Sequence, residues 1–360
     1  MFPTRRITLG GDVFRDEYSL SFDGTNDKLV TTVPSSTFHG DFSFSTWVKR
    51  GETGSAGEIA DGFAADNDGF KLFFRSSDDL RFSVDDTDVT TSASFTNTGR
   101  WYHVVAVQND TSNTQQLYID GVLDASGSGD VNLDNTNNVL EIGDTLLGNI
   151  SDIAIYNTPL TASQVRTIYN GREPYNHKEG VASSNLVSWW RMGDGALDDK
   201  NGLIGDETNV TKSSQIIADG NFDTAVGEST TGTYWITQAG WTIGSGSATY
   251  DGGGDSNTQL ESVTNANLID GAVHQVNFTL TDTDGGGVYV RICGGSFFLV
   301  TGTGAKTVYL LAGTSTNRLT FETGHDDKAF TIDNVSVYKV NGNAGIMTNM
   351  SADDFTGDTP

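Results

Sequence analysis

Apolar and polar residues alternate along most of the chain. Leu20 and Phe22 alternate with Ser19 and Ser21. Phe42, Phe44 and Val48 share one parity of the next run, and Leu80, Phe82 and Val84 share that of a later one. Leu117 with Ile119, and Ile153 with Ile155, repeat the pattern. A period of two places successive side chains on opposite faces, so each run predicts a half-buried strand. In Trp101-Tyr-His-Val-Val-Ala-Val107 both parities are apolar, which predicts a strand covered on both sides. Asp120-Gly121, between two such runs, predicts a tight hairpin. One helix is marked. Thr161-Ala-Ser-Gln164 is a capping box, Val165, Ile168 and Tyr169 follow at helical spacing, and Gly171 stands where the helix should stop.

A second alternating series begins near residue 214. It includes Val276, Phe278 and Leu280, then Val288, Val290 and Ile292, then Leu319 with Phe321 and Val335 with Val337. The predicted organisation is an arm (1–17), a first all-β domain (18–172), a connector (173–213), a second β-sandwich (214–340) and a tail (341–360). The connector carries Trp189 and Trp190, which read as an inter-domain packing plug. The tail reads as flexible or docked on a partner.

Composition fits this picture. With 43 Gly and 5 Pro in 360 residues, many polar turns join short strands. The 47 acidic against 21 basic side chains give a net charge of −26, which repels nucleic acid. Cys293 stands alone in an apolar run, so it has no intrachain disulfide partner and reads as a small buried hydrophobe. No apolar stretch is long enough to span a bilayer, and the opening residues lack a signal-peptide core. The expectation is a protein assembled in a cytoplasm and released by lysis, with no membrane insertion.

Six ordered motifs in residues 18–172 resemble the laminin-G-like, concanavalin A-like jelly-roll family. They are Ser19-Leu-Ser-Phe-Asp-Gly-Thr-Asn-Asp27, Phe42-Ser-Phe-Ser-Thr-Trp-Val48, Gly99-Arg-Trp-Tyr-His-Val-Val105, Gln116-Leu-Tyr-Ile-Asp-Gly-Val122, Gly148-Asn-Ile-Ser-Asp-Ile-Ala-Ile-Tyr156 and Leu160-Thr-Ala-Ser-Gln-Val-Arg-Thr-Ile-Tyr169. The second module resembles jelly-roll carbohydrate-binding modules through Asp219-Gly-Asn-Phe-Asp223, Trp241 and Phe330-Thr-Ile-Asp-Asn-Val-Ser-Val337. Together they imply an all-β protein, two antiparallel jelly-roll sandwiches in tandem, with one short helix closing the first. The stretches 6–16 and 345–354 resemble the ends of marine tailed-phage virion proteins.

The resemblance also implies structural calcium. In the first domain it points to Asp23 and Asp152, and in the second to Asp219, Asp223 and Asp333. The alternative is that these aspartates build Asx-turns and strand ends. Asp66-Asn-Asp-Gly69 opens like an EF-hand loop, but Ser77 occupies the twelfth position where Glu belongs, so it reads as a turn. Glycan binding needs exposed rings among polar groups, and Tyr234, Trp235 and Trp241 are the candidates. Trp241 is also a candidate for the core. No paired-glutamate strand, nucleophile elbow, zinc motif or P-loop occurs, so no enzyme is expected. The expected role is a virion structural protein, in capsid decoration or a tail fibre. It would contact other virion proteins or copies of itself and display lectin-like domains to cell-surface glycans. The rival is a secreted bacterial adhesin or carbohydrate-binding protein.

Overall fold

The alternating runs pair into four antiparallel sheets that stack as two sandwiches. The computed structural model describes residues 15–62, 69–85, 87–129, 139–225, 232–253, 257–282, 285–323 and 328–360. Arg5 and Arg6 of the arm, Asp66 to Asp68 of the EF-hand-like stretch, and His325 lie outside the described residues.

The first sandwich has two eight-stranded sheets. One runs Val122–Ser128, Thr114–Ile119, Tyr102–Asn109, Phe42–Arg50, Leu147–Tyr156, Ser19–Asp23 and Phe355–Thr356, with Leu186–Trp190 beside the second half of Leu147–Tyr156. The other runs Leu203–Ile204, Gly345–Thr348, Lys28–Pro34, Val139–Ile142, Gly57–Asp61, Phe70–Phe74, Leu80–Val84 and Thr87–Thr90. Leu20, Phe22, Phe42, Phe44, Phe70 and Phe82 meet between them. The helix Ala162–Tyr169 starts as its sequence predicts. Thr161 Oγ1 accepts the Gln164 N–H at 3.3 Å, and Gln164 Oε1 accepts the Thr161 N–H at 2.8 Å. Val165 and Ile168 pack on Val105, Val107, Ala154 and Tyr156. That packing explains the apolar parity on both sides of Tyr102–Asn109.

Both the connector and the tail differ from expectation. Leu186–Trp190 and Leu203–Ile204 are strands of the first sandwich, as are Gly345–Thr348 and Phe355–Thr356. The tail is therefore part of the first sandwich and not a flexible end. It supplies a strand to each sheet: Gly345 pairs with Ile204 and Thr31, Ile346 with Leu203 and Val30, Met347 with Leu29, and Phe355 with Leu20. Nor do the paired tryptophans plug an inter-domain gap. Alternation sends Trp190 into the first core and Trp189 to the opposite, helix-covered face. The second sandwich is inserted between Ile204 and Gly345 rather than following in tandem. Leu203, Val273, Tyr309, Val340 and Ala344 join the two bodies, and the Tyr309 hydroxyl donates to Asp199 at 2.7 Å.

The second sandwich stacks two five-stranded sheets. One is Trp241–Gly244, Ser247–Tyr250, Phe330–Lys339, Val273–Asp282 and Gly304–Leu311. The other is Trp235–Thr237, Gln259–Ser262, Leu319–Thr323, Val288–Ile292 and Phe298–Val300. Trp235, Trp241, Tyr250, Phe278, Phe321 and Phe330 fill the space between them. Cys293 is buried there, and burial pushes its thiol up to about 11.

Burial sets opposing proton linkages. His103 lies against the Ser45 hydroxyl (3.0 Å) and the Trp47 ring, and burial lowers its pKa to about 3. Burial likewise lowers His274 to about 4. Burial raises Asp16 to about 7 and Asp198 to about 6. Below about pH 6.5 the unfolded chain takes up histidine protons that the native state refuses, so acidification destabilises. The two aspartates bind protons in the native state that the unfolded chain has released, so acidification stabilises until the unfolded aspartate value is reached. From about pH 6.5 to 5 the two trends oppose in the first sandwich, which holds His103, Asp16 and Asp198, while acidification destabilises the second through His274. His103→Gln removes one histidine contribution. Relative to wild type, that variant should gain about 2 kcal/mol over this interval. Parallel stability–pH profiles for the two proteins would contradict the linkage.

Candidate functional site

The predicted calcium residues of the first sandwich are not brought together. Asp23 is exposed at the end of Ser19–Asp23, opposite Leu147, where its Oδ1 accepts the N–H groups of Thr25 and Asn26. These bonds hold its carboxyl below the usual range. Asp152 lies five residues further along the partner strand, roughly 17 Å away. It is buried, in the left-handed region (φ 51°) at a register shift. Its Oδ1 accepts the Trp189 indole N–H at 2.5 Å, and its Oδ2 lies 3.1 Å from His177 Nε2. His177 Nδ1 meets the Tyr156 hydroxyl at 2.5 Å. A neutral imidazole with its proton on Nε2 satisfies both contacts. Asp152 thus staples the connector onto the helix-covered face, and the oxygens expected to meet a cation serve that purpose.

In the second sandwich, Asp219 accepts the N–H groups of Asp223 and Thr224, and Asp333 accepts that of Asn334. The Val335 N–H donates to the Gly220 carbonyl at 2.8 Å, so the two segments are neighbours. Their carboxylates nonetheless cap turns, and Asp223 is exposed. Among the described residues no group of three or more His, Cys, Asp or Glu is arranged to hold a metal. Among the described residues, Asp23 and Asp152 do not meet, and Asp219, Asp223 and Asp333 belong to no such group.

Two of the three aromatic candidates are core. Trp235 and Trp241 are 0% and 1% exposed, and their rings pack on Phe222 and Tyr250 respectively. Neither offers a face to a sugar. Tyr234 is 38% exposed. Strand alternation places it opposite Trp235, on the outer side of the sheet that Trp235 begins.

That outer face is the candidate site. Leu299, Tyr289, Glu322 and Gln259 form one cross-strand row. Arg291, Thr320, Glu261 and Ile236 form the next. Gln259 Nε2 donates to Glu322 at 2.5 Å, and Arg318 donates to Glu261 at 2.8 Å. Phe297, 37% exposed, carries the Arg291 guanidinium 4.1 Å from its ring centre and meets the Tyr289 ring edge-on at 5.9 Å. Five strands about 4.8 Å apart make a platform about 19 Å wide. It combines rings, an amide, carboxylates and guanidinium groups, the set that recognises sugar C–H faces and hydroxyls.

The open face of the first sandwich is different. Its bases are taken up by ion pairs, Lys28 with Glu141, Lys71 with Glu58 and Asp61, and Arg81 with Asp88. Phe73 lies between Lys71 and Arg81. Between the sandwiches runs a cleft of about 740 Å³, walled by Val30, Ile346, Met347, Met350, Phe297 and Phe298. Its walls are mainly apolar.

Residues 23–166, the body of the first sandwich, match the family model Laminin_G_3, the concanavalin A-like lectin/glucanases superfamily. The fold there is the jelly-roll sandwich of that superfamily, and the match spans less than half of the chain. No curated protein sequence matches the chain. Among solved structures, the chain is similar to a Bacteroides ovatus protein described as carbohydrate binding (16% identity, 54% of this chain and 56% of that one, TM-score 0.44). It is similar also to the heptameric SAP-like pentraxin of Limulus polyphemus (16% identity, 46% and 85%, TM-score 0.37). A third is the CBM40 module of the Ruminococcus gnavus IT-sialidase, bound to α2,3 sialyllactose (11% identity, 44% and 100%, TM-score 0.36). The chain spans little more than half the length of the Bacteroides protein.

Proposed function

We propose that this is a non-catalytic glycan-binding protein whose ligand lies on the outer face of the Trp235-to-Phe298 sheet. The observation that carries this reading is the juxtaposition of Tyr289, Phe297 and Gln259 on the outer face of one sheet, beside the 7% exposed Glu322. Glu261 and Glu322, the carboxylates there, are tied to Arg318 and Gln259, which suits hydroxyl recognition better than proton transfer. The first sandwich is the frame that holds the second by both of its ends.

A glycan array followed by calorimetry tests this. Tyr289→Ala and Phe297→Ala should each weaken binding about tenfold or more without lowering the melting temperature of the first sandwich. Full binding by both variants, or release of reducing sugar from the bound glycan, would refute the proposal.

We further read the protein as a component of a bacteriophage particle rather than a free secreted adhesin. Support comes from the resemblance of stretches 6–16 and 345–354 to the ends of virion proteins. Since Gly345–Thr348 is a strand of the first sandwich, the second resemblance is to a folded element and not to a loose attachment peg. Mass spectrometry of purified particles should detect the chain in stoichiometric amount, and its absence would remove this reading.

A further inference from the structure

Three arginines lie within described strands. Arg50 pairs with Asp78 at 2.9 Å, and Arg81 pairs with Asp88 at 2.7 Å. The third, Arg291, has no ion pair and no hydrogen bond to protein among the described residues, and its Nε is shielded from water without a partner. This occurs in a chain with more than two acidic side chains for every basic one, where a strand arginine readily finds a carboxylate. The nearby carboxylates are engaged elsewhere, Glu261 with Arg318 and Thr320, and Glu322 with Gln259. Arg291 is also held in place. Its guanidinium stacks on Phe297, and that ring is steadied by Tyr289. A planar fork, always charged, pre-positioned over an aromatic ring and left without an anion, is organised to receive one.

Resting on the glycan-binding reading above, we infer that the ligand of this face is an acidic glycan whose carboxylate is taken by Arg291. The sugar ring beside that carboxylate lies against Phe297 and Tyr289, and the neighbouring hydroxyls reach Gln259 and Glu322. The planar fork meets a carboxylate through two parallel hydrogen bonds. Glu261 and Glu322 face any ligand from the same sheet. Their charges are offset on one side by Arg318, so the positive spot is local to the Phe297 end.

The test uses the intact chain on an array of uronate-containing, sialylated, sulfated and neutral glycans, followed by titration of the best ligand. Carboxylated glycans should bind at least about tenfold more tightly than neutral ones of the same length, and the difference should shrink as salt is raised. Esterifying the ligand carboxylate should remove the preference. Arg291→Gln should do the same, and Arg291→Lys should retain part of it. An unchanged melting temperature controls for folding, and the ester and salt arms need no variant. Binding to neutral or sulfated glycans with no preference for carboxylate overturns this inference and leaves the glycan reading standing. Equal binding of poly-glutamate overturns the assignment to a sugar. No glycan bound at all overturns both.

Discussion

Deleting residues 341–360 should unfold the first sandwich and leave the second folded. Gly345–Thr348 lies between Lys28–Pro34 and Leu203–Ile204, and Phe355–Thr356 closes the edge beside Ser19–Asp23. The deletion exposes Leu29 and strips Met347 and Phe355 from the core. It also removes the Asn343 carbonyl that accepts the Trp190 indole N–H at 2.9 Å and the Asp358 carboxylate that accepts that of Trp101 at 3.0 Å. Two buried side chains, a ladder of backbone bonds and two indole donors amount to roughly 5 kcal/mol or more, a large part of a domain's stability. The last strand of the second sandwich, Phe330–Lys339, ends before the cut. Calorimetry should therefore show one transition lost or shifted down by more than about 10 °C and the other retained. A dangling tail would leave both transitions in place.

The second large effect is expected at Asp152. Alanine there leaves the Trp189 indole N–H and the His177 imidazole buried without their acceptor. Two buried donors left without an acceptor cost about 1–3 kcal/mol each, which in a body of this size is roughly 10 °C in melting temperature. Asp152→Asn keeps one carbonyl acceptor and should fall between. If Asp152 instead served mainly as a calcium ligand, EDTA would reproduce the loss in the wild type. On the present geometry EDTA leaves the melting temperature of the first sandwich unchanged.

The strands were legible because alternation is local. Leu20 with Phe22, Phe42 with Phe44 and Val288 with Val290 are buried as their parity requires, and the Thr161 capping box forms as written. The insertion of one sandwich into the other was not legible. Gly345–Thr348 pairs with residues more than three hundred positions earlier, and four residues among polar neighbours carry no local sign of such a partner. The site was half visible. The same alternation that buries Val288, Val290 and Ile292 turns Tyr289 and Arg291 outward, so those two could have been named from sequence. Their neighbours could not, because Glu322 and Gln259 reach them only through strand register. Trp235 and Trp241 misled because a large ring near glycines suits a platform and a core equally, and only their strand parity and partners decide. The aspartates could not be assigned from sequence, because an Asx-turn and a calcium loop draw on the same residues.

The most direct test of the account is to locate a bound glycan. In a crystal structure of the intact chain with its best array ligand, density should lie across the outer face of the second sandwich, with a sugar ring against Phe297 and Tyr289 and polar contacts to Gln259 and Glu322. Density confined to the Phe73 face of the first sandwich, or to the apolar cleft between the two bodies, would contradict it.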